Sequence, residues 1–243
     1  MPKRPTSPWP WLMLIIRLVL FMSIQALFAA GFWLAGSTAA WQSAANWWPY
    51  VVSAANVICL FVLTWLFRKD GRCYWDIFKF HRQSLKSDLL VFGGLMVLLG
   101  PIAFLPNIGL QWLLFGDFQS ALDMILRPLP LWAAYASLLI FPVTQGLAEL
   151  ATYFLYAMPK LEHQGLPGWG ALGLAALFLA LQHIAVPLLF NVPFIIWRGL
   201  MFLPFALLVG IVLRWRPRLL PYLAIVHVLM DLSFAAMLPA VSV

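Results

Sequence analysis

The chain has 243 residues, of which 64% are hydrophobic and 9% charged, with a formal net charge of +7 at pH 7. Soluble domains carry about a quarter charged residues, so this composition excludes one and marks an integral membrane protein. Nucleic-acid binding, the usual reading of a net positive charge, is excluded as well, because the basic residues fall at the ends of apolar runs and in the short loops between them. Cys59 lies inside an apolar run and Cys73 beside a basic loop, so neither a disulfide nor a cysteine metal site is expected.

A membrane span needs ~20 mostly apolar residues. Runs that qualify are Trp11–Leu34, Trp48–Phe67, Leu89–Ile108, Leu131–Met158, Gly168–Phe190, Phe194–Leu213 and Leu219–Pro239. They predict an all-α, polytopic membrane protein of about seven transmembrane helices. Residues 1–130 hold three helices, a basic loop and an interfacial segment, and residues 131–243 hold four helices with most of the intramembrane ionisable groups. Lys3 and Arg4 resemble the start of a signal peptide, but the run that follows exceeds the ~7–15 residues of such a signal and reads as an uncleaved first span. Pro2, Pro5, Pro8 and Pro10 keep the start non-helical. Arg17, about two turns into the first run, is expected to snorkel to the headgroups. Gln111 to Phe118 is amphipathic and too short to span, which predicts an interfacial helix. The fourth run is longer than one crossing requires, and Pro142 and Gly146 predict a kink shortly before Glu149. Bent helices inside membranes often line cavities, because freed carbonyls need partners.

Alternating helices bring Lys3 and Arg4, the cluster Arg68, Lys69, Arg72, Lys79, Arg82 and Lys86, then Lys160, then Arg214, Arg216 and Arg218 to one side. The other side carries Asp117, Asp123 and only Arg127. The positive-inside rule then places the N-terminus in the cytoplasm and the C-terminus outside.

The functional expectation rests on Glu149, a carboxylate among apolar neighbours, with His183, His227 and Asp231 in similar surroundings. Ionisable groups inside a membrane are costly, face polar cavities and have partners. Residues four apart share a helix face, which pairs Gln145 with Glu149, Glu149 with Tyr153, and His227 with Asp231. At ~1.5 Å rise per residue, Glu149 lies roughly 13 Å, His227 roughly 12 Å and His183 roughly 20 Å from the cytoplasmic ends of their helices, so all can meet at one depth. Two chemistries suit the set. Glu149, helped by His183, acts as general base on a water that attacks a carbonyl, while His227 and Asp231 stabilise the oxyanion. Alternatively, His183, His227 and Asp231 hold a divalent metal such as zinc, whose bound water is the nucleophile.

The segment from Leu220 to Asp231, with His227 four residues before Asp231, resembles the third motif of the CAAX protease and bacteriocin-processing (CPBP) intramembrane protease family, in which a His precedes Asn or Asp by four. Leu179 to His183 is similar to the second motif, an apolar or aromatic residue four before a His. Ala148-Glu149 through Pro159-Lys160-Leu161-Glu162 is similar to the first, whose usual form is Glu-Glu, three residues, then Arg. Here Leu150 stands for the second Glu and Phe154 for the Arg. The resemblance covers residues 131–243 and implies a CPBP-like helical core in a bacterial cytoplasmic membrane. It also implies an endopeptidase acting on a lipidated or membrane-associated peptide or protein, with Glu149 and His183 activating water and His227 with Asp231 completing the oxyanion or metal site. Gln145, Tyr153 and Arg198 are supporting candidates, Arg198 as a stand-in for the missing family Arg. The alternative is a non-catalytic relative that binds a peptide or partner in an immunity or scaffold role. A transporter is the third class, for which neither inverted repeats nor paired broken helices are visible.

Overall fold

A computed structural model describes residues 7–243, so the prolines and basic residues among positions 2–5 lie outside the described part. The chain forms α1 (Trp9–Leu34), α2 (Ala40–Asn46), α3 (Trp48–Lys69), α4 (Leu85–Phe115), α5 (Gln119–Ile125), α6 (Leu131–Leu150), α7 (Met158–His163), α8 (Gly168–Leu181), α9 (Val192–Leu200), α10 (Leu203–Trp215), α11 (Leu220–Ala235) and α12 (Leu238–Val241). Six helical stretches are long and apolar enough to cross a membrane, and a shorter apolar one covers Gly168–Ile184. The molecule is an α-helical polytopic membrane protein. Its polarity runs inside out. Leu27, Phe61, Leu90, Val97 and Leu113 are exposed, whereas Arg17, Gln25, Asn56, Gln145, Glu149, Thr152 and Gln182 are buried. Lipid accepts the first set at no cost, and the second set must find partners within the bundle.

Several elements depart from the sequence expectation. Pro8 caps α1 and Pro10 sits in its first turn, where a missing N–H has no carbonyl to lose. Gln111 to Phe115 do not form a separate interfacial helix; they continue α4 to its left-handed cap at Gly116 (φ 78°). The polar stripe there faces protein. Gln111 donates to Asn107 Oδ1 at 2.7 Å, and the same oxygen accepts from Trp197 Nε1 of α9 at 2.8 Å. The fourth run stays α-helical through Pro142, and the irregularity falls beyond Glu149, as a π-helical stretch over Ala151–Ala157. The fifth run does not continue to Phe190. It tightens into a 3₁₀ turn at Gln182–Ile184 and then runs irregularly to Asn191. Pro187 cannot supply the N–H that a helix would need there. The exposed backbone of this break finds partners: Gln25 of α1 bridges Leu188 N at 2.9 Å and Leu188 O at 3.0 Å, and Trp41 Nε1 reaches the same carbonyl at 2.8 Å.

The basic segments share one end of the bundle. Lys160 pairs with Asp70, Arg214 with Glu162 and Arg218 with Asp88, joining α7 to the end of α3, the end of α10 to α7, and the start of α11 to the start of α4. The far end is closed by Arg127 on Asn46, Trp48 on the Ile125 carbonyl, and Leu131 N on Val243 O. Between them lie two apolar cores, one around Leu150, Phe154, Leu172 and Leu220 and one around Trp48, Phe141, Phe194 and Trp197. Both include residues from each half of the chain, so the N-terminal helices wrap the C-terminal ones. α6 runs through the middle, packed on α3 and α11. Its contact with α11 is close because Gly146 has no side chain. A Cβ there would meet the Ala224 carbonyl at 3.1 Å and run into Val228 Cγ2.

Candidate active site

Glu149 is the last residue but one of α6, two residues before the π stretch, and is 2% exposed. π-bulges are frequent at functional sites, since the extra residue re-aims the turn that carries them. The histidines reach it from two other elements. His183 stands on the 3₁₀ turn after α8 with Nε2 at 3.9 Å from Glu149 Oε2, and His227 stands on α11 with Nε2 at 3.6 Å from Glu149 Oε1. Asp231, one turn along α11, brings Oδ2 to 3.4 Å from the same His227 nitrogen. All four groups that the sequence singles out therefore meet.

The two Glu149 oxygens differ. Oε2 is held by Gln145 of the same helix, by Gln182 Nε2 at 2.7 Å and by Arg17 Nη2 at 3.4 Å. Oε1 has no hydrogen bond among the described residues and faces His227. One oxygen fixes the carboxylate and the other is left without a donor among the described residues. His183 Nδ1 is 2.9 Å from Leu179 O, and because a carbonyl only accepts, Nδ1 carries the proton and, in the neutral ring, Nε2 presents a lone pair toward Glu149. The oxygen that His183 Nε2 approaches at 3.9 Å is the held Oε2, so a water shared by the two residues would have to bond Glu149 through the open Oε1. The His183 ring is held in this attitude by Phe202, with ring centroids 4.1 Å apart.

Arg17 is the main residue that sequence reasoning misplaces. It does not snorkel; it is completely buried. Its guanidinium donates to Asn56 of α3, to Gln182, to Gln145 Oε1 at 2.8 Å and to Glu149, with Cζ 5.1 Å over the Phe21 ring. Asn56 in turn donates to Gln145 Oε1 at 3.0 Å. Asn56 and Gln182 are the other two members absent from the sequence-level set. The signal for all three was present as isolated polar residues inside apolar runs, which in lipid require an internal partner. Tyr153 shares the face of Glu149 but bonds Gln182 Oε1 at 3.1 Å instead of the carboxylate.

Arg198, the candidate substitute for the family Arg, does not reach the Glu149 carboxylate. It is buried and donates to the carbonyls of His183 at 3.2 Å and Val186 at 2.9 Å, so it clamps the break after α8 and makes no bond to Glu149. Leu150 and Phe154, at the places of the family's second Glu and Arg, are buried in the apolar core, where Phe154 meets the α10 surface at Gly210. The guanidinium beside Glu149 thus comes from α1, not from the helix that bears Glu149.

For a divalent metal the donor set of His183, His227 and Asp231 is chemically apt, and His227 Nδ1 and Asp231 Oδ2 are buried without a hydrogen-bond partner. The Arg17 cation already serves the Glu149 carboxylate. Comparison with models of known protein families, with curated proteins and with solved structures finds no match.

Proposed function

We propose that the protein is an intramembrane endopeptidase, hydrolysing a peptide bond of a membrane-associated or lipidated peptide or protein. The observation that carries this reading is the buried Glu149 carboxylate, with imidazole nitrogens 3.6 Å and 3.9 Å away on two other elements. Glu149 and His183 hold the attacking water, and Glu149 takes its proton as the water oxygen bonds to the carbonyl carbon. His227, with Asp231 beside the same ring nitrogen at 3.4 Å, donates to the oxyanion. Collapse of the tetrahedral species breaks the C–N bond, and the proton held by Glu149 passes to the leaving amine. A metal on His183, His227 and Asp231 would supply a bound hydroxide at the same place; the nearby Arg17 cation favours the metal-free version electrostatically. The basic end faces the cytoplasm in this reading, with the C-terminus outside, in a bacterial cytoplasmic membrane.

The second reading is a non-catalytic protein that binds a peptide or partner in an immunity or scaffold role. It draws on the saturation of Glu149 Oε2 by Arg17, Gln145 and Gln182, which a purely structural network would also produce. Purified protein in nanodiscs, incubated with quenched fluorescent peptides carrying a prenylated C-terminal cysteine, a leader-type sequence or a transmembrane segment, separates the two. Turnover that is lost in Glu149→Gln, with the fold retained, supports the peptidase. Turnover untouched by Glu149→Gln, His183→Ala and His227→Ala sinks it, and binding without cleavage supports the second reading.

A further inference from the structure

We propose that the basic end of the bundle carries a pocket for a phosphate-bearing anion, supplied in the membrane as the headgroup of an acidic phospholipid. A cavity of about 500 Å³ opens there, and Arg72, His81, Arg216 and Arg218 line it. That volume falls in the range of small-molecule sites, roughly 300–1,000 Å³. The guanidiniums come from separate parts of the chain, Arg72 from the loop after α3 and the other two from the turn between α10 and α11.

The pocket is built, not merely basic. Asp88 is buried behind it, accepts from Ser84 Oγ at 2.6 Å, and holds Arg218 Nε at 2.7 Å and Arg216 Nη1 at 3.5 Å. Arg216 also lies over the Trp215 ring, with Cζ 4.6 Å from its centroid. Each guanidinium has five N–H donors, so both arginines are fixed with donors to spare. The Arg72 guanidinium makes no hydrogen bond or ion pair among the described residues and rests with Cζ 5.0 Å over Phe67. The one acidic residue on the wall, Asp76, is paired with Lys79 at 2.6 Å. Three arginines and Lys79 against Asp76 and Asp88 leave two positive charges, without counting His81.

The rest of the wall, Ile77, Leu155 and Trp215, is apolar or aromatic. Cations beside an apolar wall at a helix-end level match an amphiphile with an anionic head, and basic pockets between helices are where such headgroups are held. Leu155 belongs to the π stretch that follows α6, so an occupant of this pocket touches the continuation of the helix that bears Glu149. The proposal stands whether or not the protein hydrolyses peptides.

The test uses the full chain in neutral detergent. Binding of phosphatidylglycerol and phosphatidylcholine is read by native mass spectrometry, and binding of glycerol phosphate by calorimetry. Phosphatidylglycerol binds at least about tenfold more tightly than phosphatidylcholine, and Arg72→Gln weakens it about tenfold, as expected for loss of a charge-assisted contact. Lys86→Gln, which removes an exposed charge at the same end outside the pocket, leaves binding unchanged. Glycerol phosphate binding with the same sensitivity to Arg72→Gln identifies the phosphate alone as the determinant; no such binding, with lipid still bound, assigns the site to the lipid. Equal affinity for both lipids, or equal effects of Arg72→Gln and Lys86→Gln, overturns the proposal.

Discussion

Arg17 of α1 lies 3.4 Å from the Glu149 carboxylate of α6 across 132 residues of sequence, with both side chains shut away from solvent. Each of these charges would be untenable alone in the bundle, and together they are made tolerable by Asn56, Gln145 and Gln182. Removing one partner is therefore costly in a way that removing both is not. Arg17→Met is expected to destabilise the protein by about 3–5 kcal/mol. The double variant Arg17→Met/Glu149→Gln recovers a large part of that loss, because no unpaired charge remains. Thermal unfolding in detergent reads both, and a double variant less stable than Arg17→Met contradicts the pairing.

Gln182 and Tyr153 make a contrasting pair. Gln182 touches Glu149, Arg17 and Tyr153, whereas the Tyr153 hydroxyl touches only Gln182. Gln182→Ala should lower peptidase turnover about tenfold or more, since loss of a bond to a charged group is worth about 1.5–3 kcal/mol. Tyr153→Phe costs one neutral hydrogen bond, about 1 kcal/mol of stability, and leaves turnover within a few-fold. Steady-state kinetics of the two variants that came out in the reverse order would place the tyrosine, not the glutamine, on the carboxylate.

The helical class and most span positions were legible because a lipid environment writes itself into composition, and the four ionisable groups were legible because hydrocarbon makes each one conspicuous. Arg17 was equally conspicuous, yet its place near a helix start allowed a solvent-directed reading that only the packing of α1 against the π stretch and α8 removes. The ends of the helices were less legible. Gln111 to Phe115 look interfacial because their polar face is matched by Asn107 and Trp197, partners distant in sequence or one turn back. The stop of α8 at Leu181 has only Pro187 as a local mark, and the partners that make the break tolerable, Gln25, Trp41 and Arg198, come from three other elements.

Metal dependence divides the two versions of the chemistry. With the Arg17 cation beside Glu149, turnover is expected to survive exhaustive chelation and dialysis within about twofold. Elemental analysis of the purified protein should then find less than one equivalent of zinc or another divalent metal. Loss of activity on chelation, with recovery on adding back one metal, assigns the water to an ion held by His183, His227 and Asp231.

Gly146 sets how near α11 comes to α6, and thereby how near His227 comes to Glu149. Its missing Cβ is the space filled by Val228 Cγ2, with the Ala224 carbonyl just behind. Gly146→Ala must push α11 outward or distort Val228, at a cost of about 1–3 kcal/mol. Because His227 is one residue from Val228 and already 3.6 Å from Glu149 Oε1, an outward shift should weaken that approach and reduce turnover more than it reduces stability. Val228→Ala removes the methyl groups that the new Cβ meets, so Gly146→Ala/Val228→Ala is expected to recover turnover even though it leaves a smaller side chain in the interface. Unfolding and turnover measured on the two single variants and the double decide the matter. If Val228→Ala adds its own loss to that of Gly146→Ala, the two residues are not in contact and the spacing of α6 and α11 is governed elsewhere.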